Sequence, residues 1–420
     1  MANMGIRNRS AARVASTAPL LCSLLALFLA GCGGDARAPS GELSPDEGVR
    51  TQGPEGVGGE GDATPGGAGW NVSPEPLLRI GETEGEAPYL FERVAAVALL
   101  PGGGVAVADH GSREVRIYDA AGRFLLRMGG AGQGPGELEH VDALLLLPPD
   151  TLAVYDGGQG RLSRFLTDGT LLSTVTFRAD DGWPERLVGR FSDGSWAVAR
   201  ISQTEFRVGG STPLPDPMKV GRYGPDGASL GLLAEASGLV RLDGRVVPFS
   251  PGLYGAVVRD TLYLTDGTTS GISVRPPDGG PGGRLSIPVT PPDPRTAWAA
   301  LHDALSEAGT LERLEGTPDG TEEVPIPPVA RMLVDDAGRL WLKHLEPSTD
   351  SWLLGAWSEG GPGGRWSVLT TGGAEVAQVD LPAAFVPMAL GEDRVAGVTR
   401  DALGVERVEV WGLDAPPPEP

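Results

Sequence analysis

The chain has 420 residues, a formal net charge of −21 and a hydrophobic fraction of 40%, enough apolar material for one large domain or two ordinary ones. Its 55 acidic residues against 34 basic ones argue against nucleic acid as a partner, because phosphate contacts need clustered Lys and Arg. With 64 Gly and 38 Pro it lies near the disordered range of composition, and a turn-rich β protein is the folded alternative.

Residues 1–31 read as a signal peptide. Arg7, Arg9 and Arg13 form a basic start, and Ala18 to Ala30 is apolar but too short for a comfortable membrane span. The stretch ends in Leu29-Ala30-Gly31-Cys32, which resembles the bacterial lipobox. That resemblance implies cleavage before Cys32, a diacylglycerol on its thiol and attachment to a membrane through that lipid. Cys22 leaves with the signal, so the mature chain has no pair of thiols for a disulfide or a thiolate metal site. Gly33, not Asp, follows Cys32; in a two-membrane bacterium the usual sorting rule then favours the outer membrane. From Cys32, residues 32–69 are Gly, Pro and acidic residues with almost nothing to bury, and they read as a flexible tether. As a coil it reaches roughly 35 Å.

From Trp70 the pattern changes to a repeat. RIGETEGEAPYLFERV begins at Arg79 and RMGGAGQGPGELEHV at Arg127, 48 residues later. Each is followed by an apolar strand, a turn and a second apolar strand ending in Asp: VAAVALLPGGGVAVAD to Asp109, HVDALLLLPPDTLAVYD to Asp156. REVRIYDAAGRFLLRMG and GRLSRFLTDGTLLSTVTF then give a third strand, a tight turn and a fourth. Four strands in a period of about 45 residues are the sign of a propeller blade. Worn copies follow: RLVGRFSDGSWAVAR with MKVGRYGPDGASLGLLAE, GAVVRDTLYLTD with GISVRPPDGGPGGRLSIPV, ARMLVDDAGRLWLKH with SWLLGAWSEGGPGGRWSVLTTGGAEVAQVDL, and FVPMALGEDRVAGVTR with VERVEVWGL. The sixth copy stops after three strands, and EPLLRIG at Glu75–Gly81 matches the missing fourth. The reading is an all-β, six-bladed β-propeller over 70–414, closed by its N-terminal strand, with a Pro-rich tail over 415–420. Closure removes the unpaired edges of an open sheet.

GGAGQGPGEL, Gly129 to Leu138, then joins the outer strand of one blade to the inner strand of the next. A dinucleotide loop needs Gly-x-Gly-x-x-Gly between a strand and a helix, and here neither the spacing nor a helix is present. The GQGPGEL loop, the VAVAD ending and RIYDAAGRFL resemble NHL-repeat propellers, in particular the six-bladed bacterial lipoprotein type. The resemblance is good over Pro76–Phe177 and loose beyond. It implies a propeller that binds through the faces of its disc, and it implies no single activity.

Aligning the last residue of each second strand gives Asp109, Asp156, Arg200, Asp266, His344 and Arg400, a ring at one end of the central channel. Such a ring suits an anionic or zwitterionic ligand. The alternative is that each Asp accepts backbone N–H bonds from the turn beside it. The histidines His110, His140, His302 and His344 show no paired ligand spacing, so no metal or other cofactor is assigned. Gly227-x-Ser229-x-Gly231 follows a turn rather than a strand and precedes a strand rather than a helix, so it is a chance match to a nucleophile elbow. PPDPRTAWAALHDALSEAGTLERL breaks the β rhythm as a helical insertion at about 293–314. Asp293 suits its cap and Pro294 its first turn. Trp298, Leu301 and Leu305 share one helix face, either for a partner or for packing on the rim of the disc. Trp183, Trp352 and Trp357 are further aromatic candidates.

The function expected is a lipid-anchored, monomeric disc outside the cytoplasm that binds or scaffolds a protein, peptide or glycan. The rival is a metal-dependent hydrolase or lyase at the channel, lactonase-like or peptide-amidating-lyase-like. A third reading is a structural member of an envelope complex.

Overall fold

A computed structural model describes residues 70–178, 183–201, 214–250, 252–265, 271–307, 309–347 and 363–414. Cys32, Asp266, Trp352 and Trp357 lie outside these residues, as does the side chain of Trp183.

Six antiparallel sheets make a six-bladed β-propeller. Blade 1 is Val94–Leu99, Val105–Asp109, Glu114–Tyr118 and Phe124–Gly129. Blade 2 is Val141–Leu147, Thr151–Asp156, Arg161–Leu166 and Leu171–Thr176. Blade 3 is Trp183–Arg190, Trp196–Ile201, Leu214–Tyr223 and Ser229–Leu242, with Arg245–Val246 added at its edge. Blade 4 is Tyr254–Val258, Thr261–Thr265, Gly271–Arg275 and Gly283–Ser286. Blade 5 is Val329–Val334, Leu340–His344, Gly364–Leu369 and Glu375–Leu381. Blade 6 is Phe385–Leu390, Arg394–Arg400 and Glu406–Asp414. The first strand of every blade lies beside the first strands of both neighbours, blade 6 beside blade 1 included. These six strands therefore surround the axis.

Closure comes from the N-terminal segment. Leu78–Ile80 pairs with Val408–Val410, and Asn71–Val72 pairs with Leu413–Asp414. Trp70 anchors the start: it is buried, meets Trp341 edge-on at 5.3 Å and carries the Arg339 guanidinium 4.4 Å from its ring centre.

The turns are made by the residues that the repeat places there. Asp119 Oδ1 accepts the amides of Ala121 and Arg123 at 2.9 Å each, and Asp168 Oδ1 accepts that of Thr170 at 2.9 Å. In Gly129–Leu138 the backbone is held by the loop's own residues and by Arg161 of blade 2. Gly134 N donates to Glu137 Oε2 at 2.7 Å, Leu138 N to Gly130 O at 2.8 Å, and Arg161 Nη1 to Gln133 O at 2.8 Å. Gly129 sits at φ +87°, where a Cβ would meet the Leu138 side chain at 2.6 Å. The loop's own Glu137 carboxylate takes the amide that a phosphate would need.

Packing between blades fixes how each second strand faces. Ala106 and Ala108 share a core with Leu152 and Val154, and Ala153 and Tyr155 with Trp196 and Val198. Ala197 and Ala199 pack with Leu262 and Leu264, Tyr263 with Leu340 and Leu342, Trp341 with Val395, and Ala396 and Val398 with Val105 and Val107. Even positions of each strand thus meet odd positions of the next blade, right round the ring. Period-two alternation makes this a strict register.

Candidate functional site

The fifth position of that register ends each second strand at the end of the disc where the first strands begin. Asp109, Asp156, Arg200 and His344 occupy it, and Asp266 would follow from Leu262 and Leu264 but is outside the described residues. Blade 6 corrects the sequence alignment: counting from Val395, the fifth residue is Thr399, not Arg400. The one-residue slip reverses the face. The Arg400 side chain is 52% exposed and pairs with Glu406 at 2.7 Å.

The ring members differ in what they hold. Asp109 is buried and accepts Glu92 N at 3.0 Å and Ser112 Oγ at 2.9 Å, and it pairs with Arg116 at 3.1 Å. Asp156 is buried and accepts Glu139 N at 2.7 Å, His140 N at 3.2 Å and Gln159 N at 3.1 Å. Each carboxylate ties the end of its own second strand to the entry of its own first strand. Arg200 is buried and donates to Tyr223 Oη at 2.8 Å. His344 meets Ser367 Oγ at 2.8 Å, and burial, helped by the Arg365 charge, lowers its pKa. Two of the six are thus engaged in holding loops, with their oxygens directed at backbone amides.

Two clusters that the strand-end alignment missed sit at the same end. In the first, between blades 1 and 2, the rings of His110 and His140 meet edge-on at 4.2 Å. His140 Nδ1 lies 2.9 Å from Asp142 Oδ1, and Asp142 Oδ2 accepts Gly157 N at 2.7 Å. Burial raises the Asp142 pKa against the pull of His140. Burial lowers that of His110, and the charges of His140, Arg93 and Arg113 push the same way. Arg93 and Arg113 hold left-handed backbone, at φ 63° and 57°. For residues with a Cβ that conformation is strained. Asp142 is also the extra residue of a bulge, skipped between the pairs Val141–Asp156 and Ala143–Tyr155. The first strands of blades 1, 3, 5 and 6 carry a bulge near the same place, so it is a feature of the repeat.

The second cluster spans blades 3, 4 and 5. Tyr254 opens the first strand of blade 4 and is 5% exposed, and its hydroxyl has no hydrogen-bond partner. The Arg186 guanidinium from blade 3 lies 5.9 Å from its ring centre and donates to Leu253 O at 3.1 Å. Burial raises the Tyr254 pKa, and the charges of Arg186 and of Arg331 from blade 5 oppose that shift. Arg331 follows Ala330, another bulge residue, skipped between the pairs Val329–His344 and Arg331–Lys343.

The helical insertion is attached beside this cluster. Pro294–Glu307 forms the helix, capped by Asp293, whose Oδ1 accepts Thr296 N at 2.9 Å. A short 3-10 turn, Leu311–Leu314, follows. Ala297, Leu301 and Leu305 are buried against Phe249, Ile326, Ala330 and Leu345. This corrects the expectation of a partner-facing stripe: Leu301 and Leu305 face the propeller, and Trp298 is partly buried against the same core. Ala330 and Leu345 flank the mouth end of blade 5, so the helix borders the mouth. Ser229 begins the outer strand of blade 3 and is exposed, with a strand and not a helix after it. Among the described residues no three His, Cys, Asp or Glu side chains converge as a metal set, and no helix is long and apolar enough to cross a membrane.

No protein-family model matches the chain, and no curated protein matches it. Solved structures share its architecture. A Bacteroides fragilis protein described as exported is 11% identical with a TM-score of 0.47, over 82% of this chain and 96% of that one. Virginiamycin B lyase of Staphylococcus aureus is 12% identical with a TM-score of 0.39, over 83% and 90%. A gluconolactonase of Xanthomonas campestris is 14% identical with a TM-score of 0.39, over 77% and 87%. The likeness is one of fold, and no activity passes from these proteins to this chain.

Proposed function

We propose that this chain is a lipid-anchored binding propeller working outside the cytoplasm, and that it meets its protein, peptide or glycan partner with the mouth of its channel. The observation that supports this reading is the pair of polar clusters at one end of a closed ring, each built from more than one blade. His110, His140 and Asp142, and separately Arg186, Tyr254 and Arg331, lie at these strand ends, with Tyr254 also packed into the core between blades 4 and 5. Between the strand ends, neighbouring blades meet through apolar cores. Attachment rests on the resemblance of Leu29–Cys32 to a lipobox, and the six-bladed NHL-type lipoprotein resemblance fits the same arrangement.

The test is mass spectrometry of the mature N-terminus together with fractionation of the full chain and of Cys32→Ser. A diacylglycerol on Cys32, and release of Cys32→Ser from the membrane fraction, are expected. Cleavage elsewhere with no lipid would overturn the anchoring.

A further inference from the structure

Four exposed leucines hold one place in four neighbouring blades. In blade 1 Leu125 is skipped between the pairs Ile117–Leu126 and Tyr118–Phe124. In blade 2 Leu172 is skipped between Arg164–Ser173 and Phe165–Leu171, and in blade 3 Leu230 between Arg222–Gly231 and Tyr223–Ser229. In blade 6 Leu77 precedes Leu78, which pairs with Val410 as Leu126 pairs with Ile117. Leu77, Leu125, Leu172 and Leu230 are 63%, 57%, 49% and 57% exposed. The blade cores do not require them, since Leu78 and Leu126, one residue on, already pack there. The bulge does not require leucine either: blade 5 has Val376, partly buried on its core, and blade 4 has Gly282 before Gly283. One exposed leucine means little, but the same place repeated on adjacent blades is a surface feature. Equal places in a ring lie at one level, here the end of the disc away from the mouth, where the outer strands begin. Apolar points set apart round a rim at one level fit a flat surface, not a peptide in a groove. The chain enters at the same end: Asn71 pairs with Asp414, at the far end of a strand that starts beside the mouth with Glu406. Residues 32–69, read as the tether, therefore join the disc on the leucine side, and a membrane held through Cys32 meets that side first. The net charge of −21, with Asp119, Asp168 and Asp226 in the adjacent turns, disfavours anionic lipid and leaves a zwitterionic surface.

We infer that Leu77, Leu125, Leu172 and Leu230 rest in a zwitterionic lipid surface, so that the disc sits on its membrane with the channel mouth turned away. The inference rests on the anchoring proposed above, and its test separates the two. The mature chain has no cysteine besides Cys32, so an introduced cysteine takes an environment-sensitive dye alone. The mature full chain is mixed with phosphatidylcholine vesicles that carry nitroxide lipids, at several chains per vesicle and at fewer than one. Dyes at Leu125→Cys and Leu172→Cys are expected to shift to the blue and be quenched at both dilutions, and a dye at Glu139→Cys, exposed beside the mouth, is not. Leu77→Ser/Leu172→Ser/Leu230→Ser should fold, since these side chains are exposed, and should cut quenching at position 125 about threefold or more. Phosphatidylglycerol vesicles should quench less than phosphatidylcholine. Quenching at position 125 that survives the triple substitution unchanged would overturn the inference, as would stronger quenching in phosphatidylglycerol. Quenching lost below one chain per vesicle would show that the leucines meet a second copy, and would overturn it too. Mass spectrometry of the same sample reads the lipid on Cys32. A lipidated chain whose dyes stay in water loses the leucine contact alone, and an unlipidated chain whose dyes are quenched loses the anchor alone.

Discussion

Asp109→Ala tests whether the strand-end aspartates hold the disc together. The carboxylate is 1% exposed and the Arg116 side chain facing it 7% exposed, 3.1 Å away. Alanine removes the acceptor for Glu92 N and Ser112 Oγ, about 1 kcal/mol each. It also leaves Arg116 charged and buried, which costs about 3–5 kcal/mol where nothing else helps. Here something does: Arg116 keeps the Glu114 carboxylate at 3.5 Å, Leu90 O at 2.7 Å and Pro88 O at 3.4 Å. The net expected loss is about 3–4 kcal/mol, and Asp109→Asn, which keeps an acceptor, should lose about half as much. Urea unfolding of Asp109→Ala, Arg116→Met and the double variant gives the pair term, expected at about 2 kcal/mol. A loss below about 1 kcal/mol with strictly additive single variants would refute the argument, because the aspartate would then bear no load.

Other consequences concern the closure, the helix and pH. Trp70→Ala removes a buried indole between Trp341 and Arg339 and should lower stability by about 3–5 kcal/mol, with hydrogen exchange rising first in Glu406–Asp414; uniform exchange would contradict the closing role. Leu301→Ala should cost about 2–5 kcal/mol and Trp298→Ala less, because only Leu301 is fully buried; equal effects measured by urea unfolding would contradict that packing. His110 and His344 have pKa values below 6.5 in the fold, so the unfolded chain takes up protons first as pH falls. Stability should therefore decline from pH 7.5 to 5.5, and the decline should be shallower in His110→Asn/His344→Gln. Identical urea midpoints at the two pH values would show that neither histidine is held neutral.

The blades were legible because their signals are local. Alternation in VAVAD and LAVYD, Asp-Gly turns and the 48-residue spacing all follow from strand period and turn chemistry, and each recurs. The closing strand was legible for the same reason, since EPLLRIG repeats the outer strand of blade 1. Half of the mouth was not. Arg400 and Thr399 are neighbours in sequence, and only the packing of Ala396 and Val398 on blade 1 decides which of them ends the strand register. Tyr254, Arg186 and Arg331 come from three blades; the two arginines occupy the same place in their first strands, after the bulge, but Tyr254 does not, so only the ring brings the three together. The bulges at Asp142 and Ala330 carry no composition signal, although they turn those residues out of the ladder. Trp298, Leu301 and Leu305 gave a correct helix face, but an amphipathic stripe does not say what it packs on.

The claim that the mouth is the working face is tested most directly by site-specific photocrosslinking in the intact envelope. A photoreactive residue is placed at exposed Glu139, beside the mouth, and at exposed Asp150, in the hairpin between the first two strands of blade 2 at the other end of the disc. The account predicts a discrete adduct from Glu139 and none from Asp150. An adduct from Asp150 alone would place the working face at the opposite end and contradict it.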